Sequence, residues 1–153
     1  PVSPACAVIS RHLRLAIGPL RERYHGDMVV ITVDEAPTDR VQALERAGVE
    51  VISVGSGSAA DGKTVVQQLA RRGHRSIYSI AGPRILHTLL ADDVLDRLYL
   101  TISQRVLGGE HYDTLGDGPA FTPPIGFHLK SLYLDTSLPD NAGQMFMAFD
   151  RGA

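Results

Sequence analysis

Residues 75–90 read RSIYSIAGPRILHTLL, a stretch that predicts a strand turning directly into a helix. Ile77, Tyr78 and Ile80 suit a short buried strand. Pro83 suits the first position of a helix, where its missing N–H costs nothing, and apolar residues recur after it at helical spacing. The N–H groups at such a helix start favour an anion. The turn is therefore a candidate phosphate-binding site, and the alternative is an ordinary strand-to-helix turn without a ligand.

Two similar units precede this stretch. The segment MVVITV at 28–33 is almost wholly apolar and β-branched, which is typical of a strand covered on both faces, and VEVISV at 49–54 predicts a further strand. Helical patterns follow them at 38–48 and 62–72. Three strand-then-helix units in a row predict parallel strands joined by right-handed crossovers, and hence an α/β fold.

The pattern changes after the last of these helices. A strand is predicted at 98–103, and a long loop rich in turn residues then leads to two more strands at 127–135 and 144–150. We expect these two strands to form an antiparallel pair at one edge of the sheet. The predicted architecture is a three-layer α/β fold in which a mostly parallel sheet is flanked by helices. A chain of 153 residues, 44% of them hydrophobic, predicts one domain over residues 1–153.

Composition excludes several classes of partner. The net charge of −2 and the scattered basic residues provide no footprint for nucleic acid. No apolar run reaches the ~20 residues that a helix needs to cross a bilayer. Cys6, the single cysteine, lies among small apolar residues and predicts a buried, reduced thiol. We therefore expect a cytoplasmic protein that binds neither nucleic acid nor membranes.

Two further segments are candidates for binding a phosphate. The segment ACAVIS at 5–10 predicts a short apolar strand. Ser10 and Arg11 lie at its carboxyl end, where a hydroxyl and a planar guanidinium can bind a terminal phosphate, although a solvated arginine explains Arg11 equally well. Gly55 and Gly57 follow the strand at 49–54 and suggest a dinucleotide-binding turn. Ala60 stands where that fingerprint requires its third glycine, so an ordinary loop is the favoured interpretation.

The histidines and the long loop offer no clear catalytic group. None of the six histidines has a partner at the spacing of a metal site, and we predict no metal. His87 lies on the polar flank of a predicted helix and suggests a solvated side chain. Residues 110–113, Glu-His-Tyr-Asp, bring an acid, a base and a phenol together, although solvation explains them as well.

The run IAGPRILHTLLADDVLDRLYLTISQRVLGG, residues 80–109, resembles the dihydrofolate-reductase-like fold. It is most similar to the reductase domain of the bifunctional riboflavin-pathway deaminase-reductase. That family has a Glu-Gly-Gly-Pro turn, a helix with a leucine pair, a Val-Asp-Glu-Leu stretch, a strand and a Gly-Gly pair. The matching positions here are Gly82, Pro83, Ile85, Leu86, Leu95, Asp96, Gly108 and Gly109. The upstream CAVISR and DGKTVVQQLARRG segments also look like the family.

The resemblance implies an NADPH-dependent reductase that transfers a hydride to a pyrimidine ribityl substrate or a related heterocycle. It implies that Ser10 and Arg11 bind the 2′-phosphate of the cofactor and that the pyrophosphate lies near the Gly82 turn. The cofactor-binding residues expected at that turn are Ile80, Ala81, Gly82, Pro83, Arg84, Ile85 and Leu86. The resemblance assigns no catalytic side chain, and we expect a homodimer.

The sequence departs from the family pattern at two points, and these departures leave two alternative functions open. Ile80 and Ala81 replace the Glu-Gly of the family turn, which removes a carboxylate near the substrate. The family's first strands, with a Ser-x-Asp-Gly substrate motif, do not precede Pro4, so we expect an N-terminally incomplete domain and a complementary N-terminal fragment as a possible partner. One alternative is a non-catalytic nucleotide-binding or interaction subunit. A more distant one is a Rossmann-type domain that uses Gly55 and Gly57.

Overall fold

A computed structural model describes residues 4–57, 60–110, 114–137 and 143–152. The chain forms two compact units, Pro1–Ile77 (unit 1) and Tyr78–Ala153 (unit 2). None of the helices in the described ranges has the length and apolar content that crossing a membrane requires. The single domain over residues 1–153 stays a prediction.

Unit 1 alternates strands and helices. In chain order its elements are β1 (Cys6–Ile9), α1 (Ile17–Arg23), β2 (Met28–Thr32), α2 (Thr38–Arg46), β3 (Glu50–Ser53) and α3 (Gly62–Arg71). The three strands form a parallel sheet in the order β1-β2-β3. The predicted parallel strands joined by helices are therefore confirmed in this unit, and the ends of all three strands meet at one carboxyl edge.

The central strand β2 is covered on both faces. Ile31 packs on one face in a cluster with Val65 and Leu69 of α3. Val30 packs on the other face in a cluster with Leu44 of α2. Ile31 and Val30 are both 0% exposed, because successive residues of a strand point to opposite faces and each face here has its own helix. Unit 1 thus has the three predicted layers.

The predicted strand at Ile77, Tyr78 and Ile80 is wrong. Residues 74–82 have no regular secondary structure, and Tyr78 and Ile80 are 78% and 101% exposed. The preference of a residue for strands reflects how well its side chain packs on a sheet. A segment with that preference forms a strand only where a neighbouring strand pairs with it. Within the described ranges, no strand pairs with this segment, so its apolar residues stay in solvent.

Unit 2 combines one helix with an antiparallel sheet. Its elements are α4 (Pro83–Ala91), β4 (Arg97–Ser103), β5 (Phe127–Asp135) and β6 (Gln144–Arg151). The sheet order is β4-β6-β5 and both pairings are antiparallel. The α/β class and the antiparallel C-terminal pair are confirmed. The structure adds that β6 is the central strand, with β4 on its other side, in a three-stranded sheet separate from that of unit 1.

An ionic contact joins all three strands of the unit 2 sheet. The carboxylate of Asp150 on β6 pairs with Arg97 on β4 and, at 2.9 Å, with the Nζ of Lys130 on β5. The register shifts between Leu129 and Ser131, which makes Lys130 the extra residue of a bulge. Hydrogen bonds from Arg97 and then Lys130 lower the pKa of Asp150 to about 2.

Asp150→Asn should flatten the acid dependence of stability. A carboxyl group with a lowered folded-state pKa stabilises the fold above its unfolded pKa of about 3.9, and that contribution is lost as the pH falls toward about 2. We expect urea midpoints of the unchanged protein to fall over this range and those of Asp150→Asn to fall less. Asp96→Asn, at an exposed position of the same unit, is the control. If the urea midpoints of Asp150→Asn and of the unchanged protein fell equally with pH, the ionic contact of Asp150 would not be the source of this acid dependence.

Candidate functional site

The loop after β1 forms a tight turn at the carboxyl edge of unit 1. The N–H of Ser10 donates to the carbonyl of Ile31 at 2.9 Å and so continues the pairing with β2. The Oγ of Ser10 accepts from the N–H of Leu13 at 3.1 Å. Leu13 is buried and has a φ of 51°. This left-handed backbone conformation costs a leucine about 1–3 kcal/mol, and such residues cluster at functional sites.

Arg11, the next residue of this turn, is exposed. Neighbouring elements hold the backbone of the turn, since Nη1 of Arg40 on α2 donates to the carbonyl of His12 at 2.6 Å. Among the residues that the structure describes, no carboxylate pairs with Arg11. A fixed backbone, a free guanidinium and the hydroxyl hydrogen of Ser10 together suit the binding of a phosphate.

The glycine loop after β3 is occupied by a carboxylate of the same chain. Both carboxylate oxygens of Glu35 accept from the N–H of Gly57, at 3.0 and 3.1 Å. The N–H of Asp34 donates to the carbonyl of Gly55 at 3.0 Å, and the Asp34 carboxylate accepts from Ser53. An N–H already paired with a carboxylate and facing its negative charge is a poor donor to a phosphate. This arrangement argues against the Rossmann-type use of Gly55 and Gly57.

The turn at Gly82 begins α4 as predicted from Pro83. Gly82 is the N-cap with φ −71° and ψ 177°, Pro83 occupies the first turn, and no side chain caps the helix. Ile80 and Ala81, which precede it, are both exposed. Within the described part of the chain, a Cβ built on Gly82 meets no atom within 4 Å, so open space faces the turn.

The start of α4 offers fewer donors than its sequence suggests. The N–H groups of Ile85 and Leu86 both bond to the carbonyl of Gly82, at 3.1 and 3.2 Å. In the described part of the chain, the N–H of Arg84 has no acceptor. Its guanidinium is engaged, because Nε donates to the Asp117 carboxylate at 2.9 Å. The side chains of Ile85 and Leu86 are half-buried.

His87 is not the solvated side chain that the sequence suggests. Its ring stacks on Phe121 with centroids 4.6 Å apart, and its Nε2 lies 2.8 Å from the carbonyl of Pro119. Of the acid–base candidates at 110–113, Glu110 is exposed, whereas 111–113 lie outside the described residues. Cys6, predicted to be buried, is half-buried. No group of three metal-ligating side chains occurs in the described ranges.

Sequence reasoning missed three residues that shape these turns. Nothing in the sequence marks Leu13 as left-handed, because leucine has no preference for that conformation. The position of Glu35 just after a buried strand was a usable signal, since residues at strand carboxyl ends face binding sites in α/β folds. Asp117 carries no local signal, because its partner Arg84 lies 33 positions away.

A family model described as the RibD C-terminal domain matches residues 2–138. The chain belongs to this family. The predicted resemblance to the reductase domain of the riboflavin-pathway deaminase-reductase is therefore confirmed. A curated relative from Aquifex aeolicus, the 2,5-diamino-6-ribosylamino-4(3H)-pyrimidinone 5′-phosphate reductase, is 30% identical over 93 residues, which is 61% of this chain and 41% of the relative.

Solved structures show the same fold. A pyrimidine reductase-like protein from Corynebacterium diphtheriae superposes with a TM-score of 0.78 at 23% identity, over 98% of this chain and 62% of that one. Acinetobacter baumannii RibD, in one crystal form, superposes with a TM-score of 0.67 at 15% identity, over 95% of this chain and 37% of that one. The chain thus spans less than two thirds of the length of each of these relatives.

Proposed function

We propose that the protein is a cytoplasmic, NADPH-dependent reductase that transfers a hydride to a pyrimidine ribityl compound or a related heterocycle. The observation that carries this proposal is the family match over residues 2–138. The Aquifex aeolicus relative is named as a reductase of a ribosylamino-pyrimidinone phosphate, which is a substrate of this class.

The turn at Ser10 and Arg11 is proposed to bind the 2′-phosphate of NADPH. The exposed guanidinium of Arg11 has a planar set of donors that matches phosphate oxygens. The Oγ of Ser10 is used as an acceptor by Leu13, so its hydroxyl hydrogen is available to donate. NADH lacks this phosphate, so these contacts would favour NADPH over NADH.

The Gly82 turn, residues 80–86, is proposed to face the pyrophosphate. The open space at Gly82 admits a phosphate against the backbone, and the N–H of Arg84 supplies a donor at the positive end of the helix dipole. The bound nicotinamide would supply the hydride, while the residues of this chain bind and orient it. Ile80 and Ala81 have no titratable group, so neither residue moves a proton at this turn.

The lack of a carboxylate at Ile80 and Ala81 favours one alternative, a nucleotide-binding subunit without turnover. A direct test distinguishes the two. The protein is mixed with NADPH and a phosphorylated ribosylamino-pyrimidinone, and the loss of reduced nicotinamide absorbance is followed. NADPH deuterated at the transferring position should yield a deuterated product if the chain is a reductase. Cofactor binding in calorimetry without product would support the alternative, and no binding would contradict both.

Arg11→Ala should weaken NADPH binding by about 1–3 kcal/mol and leave NADH binding nearly unchanged, since only NADPH offers the 2′-phosphate. Calorimetry with both cofactors measures the difference. Arg71→Ala removes the same charge from an exposed position in the last turn of α3 and is the matched control. If Arg11→Ala weakened the binding of NADPH and of NADH equally, Arg11 would not bind the 2′-phosphate.

We also propose that the protein forms a homodimer. The unit 2 sheet exposes Tyr99, Tyr133 and Phe146 around a shallow, largely apolar depression of about 240 Å³. Contiguous apolar surface of this kind is typical of interfaces between proteins. Light scattering on the eluted protein tests the proposal, and a mass of one chain at micromolar concentration would contradict it.

A further inference from the structure

The 114–122 loop is attached to α4 by several contacts within unit 2. The N–H of Asp117 donates to the carbonyl of Pro83 at 3.1 Å, and its carboxylate accepts from Arg84. Within the loop, the hydroxyl of Thr114 donates to the carbonyl of Gly116 at 2.9 Å. The loop therefore lies along the first turns of α4, beside the Gly82 turn.

The side chain of His87 is at the centre of this attachment. It lies on α4 and contacts the loop in two ways, through the hydrogen bond at Pro119 and the ring stack on Phe121. The two ring planes meet at 16°, which is close to parallel. The carbonyl of Pro119 can only accept, so the Nε2 of His87 carries the proton in this contact.

Gly118 shows how closely the loop fits the imidazole. A Cβ built on Gly118 would lie closer than 3.0 Å to three ring atoms of His87. The φ of Gly118 lies outside the left-handed region, so its backbone conformation would accept an alanine. The space taken by His87 is therefore what restricts this position to glycine. The effects of substitutions at Gly118 and at His87 should consequently be non-additive.

We propose that His87 is a positioning residue for the cofactor site. Its imidazole holds the 114–122 loop on α4, and this places the Arg84–Asp117 pair beside the Gly82 turn. If the loop moves away, Asp117 no longer holds the Arg84 guanidinium, and the surroundings of the proposed pyrophosphate site change. The effect on cofactor affinity rests on the proposed function, whereas the attachment of the loop does not.

A double-mutant cycle with His87→Ala and Gly118→Ala tests the proposal. Amide exchange of residues 114–122 reports the attachment, and calorimetry with NADPH reports the cofactor site. We expect His87→Ala and Gly118→Ala each to speed exchange in the loop by about tenfold or more, with little change in the β1-β2-β3 sheet, and unchanged loop exchange in His87→Ala would overturn the proposal. We expect Gly118→Ala to have much less effect in the His87→Ala background, a coupling of at least about threefold. NADPH affinity should follow the same non-additive pattern.

The controls are His25→Ala and Gly126→Ala. His25 is exposed, and a Cβ at Gly126 meets no atom within 4 Å. Additive effects of the two substitutions on loop exchange would overturn the role of His87. If exchange in the loop were coupled but NADPH affinity did not change, His87 would still attach the loop to α4. The role of His87 at the cofactor site would then be overturned. If the unchanged protein binds no NADPH, the proposed function fails, and the exchange data still decide the attachment.

Discussion

Gly82→Val is expected to abolish NADPH binding while the fold survives. The side chain would enter the open space in front of the turn, which the pyrophosphate must occupy if it contacts the backbone there. No atom of the described residues lies within 4 Å of the added Cβ, and a φ of −71° is open to any residue. Loss of a glycine N-cap costs the helix at most about 1 kcal/mol. We expect affinity to fall by at least about 100-fold, which corresponds to about 2.7 kcal/mol.

Gly126→Val is the matched control for this experiment. Gly126 is also exposed, and a Cβ there also meets no atom within 4 Å, but it lies just before β5 and away from the start of α4 in sequence. Calorimetry with NADPH and circular dichroism on both variants separate binding from folding. Undiminished affinity in a folded Gly82→Val protein would assign the turn to structure alone.

Ile31→Ala should cause a large loss of stability, about 2–5 kcal/mol. Ile31 is 0% exposed in β2 and packs with Val65 and Leu69, so truncation removes buried methyl groups and leaves a cavity. Its carbonyl also accepts from the N–H of Ser10, and a shift of β2 would disturb the turn that carries Arg11. We therefore expect weaker NADPH binding to accompany the loss of stability.

Urea denaturation followed by circular dichroism measures the loss of stability. Ile31→Val, which removes one methylene, should cost only about 0.5–1.5 kcal/mol. Leu129→Ala, at a position 55% exposed in β5, should be close to neutral. An Ile31→Ala protein as stable as Leu129→Ala would show that β2 is not the centre of the core.

Several elements could be predicted from the sequence because their signals are local. The β-branched run at 28–33 predicts a strand buried on both faces, and helices do cover both sides of β2. Pro83 and the apolar spacing after it predict the start of α4. The alternating segment at 127–135 matches β5. In each case a few neighbouring residues suffice to predict the element. The side-chain periods of strands and helices and the restrictions of proline are local properties of the chain.

The tertiary structure alone decided which segments pair and which side chains meet. Residues 77–80 have the composition of a strand and form none, because a strand exists only through a paired neighbour. β6 occupies the centre of its sheet because both β4 and β5 pair with it, a choice that no local pattern encodes. His87 reads as a solvated helix residue, yet Pro119, 32 positions away, accepts its hydrogen bond. Such contacts depend on how distant segments pack, which the residues on either side of His87 do not specify.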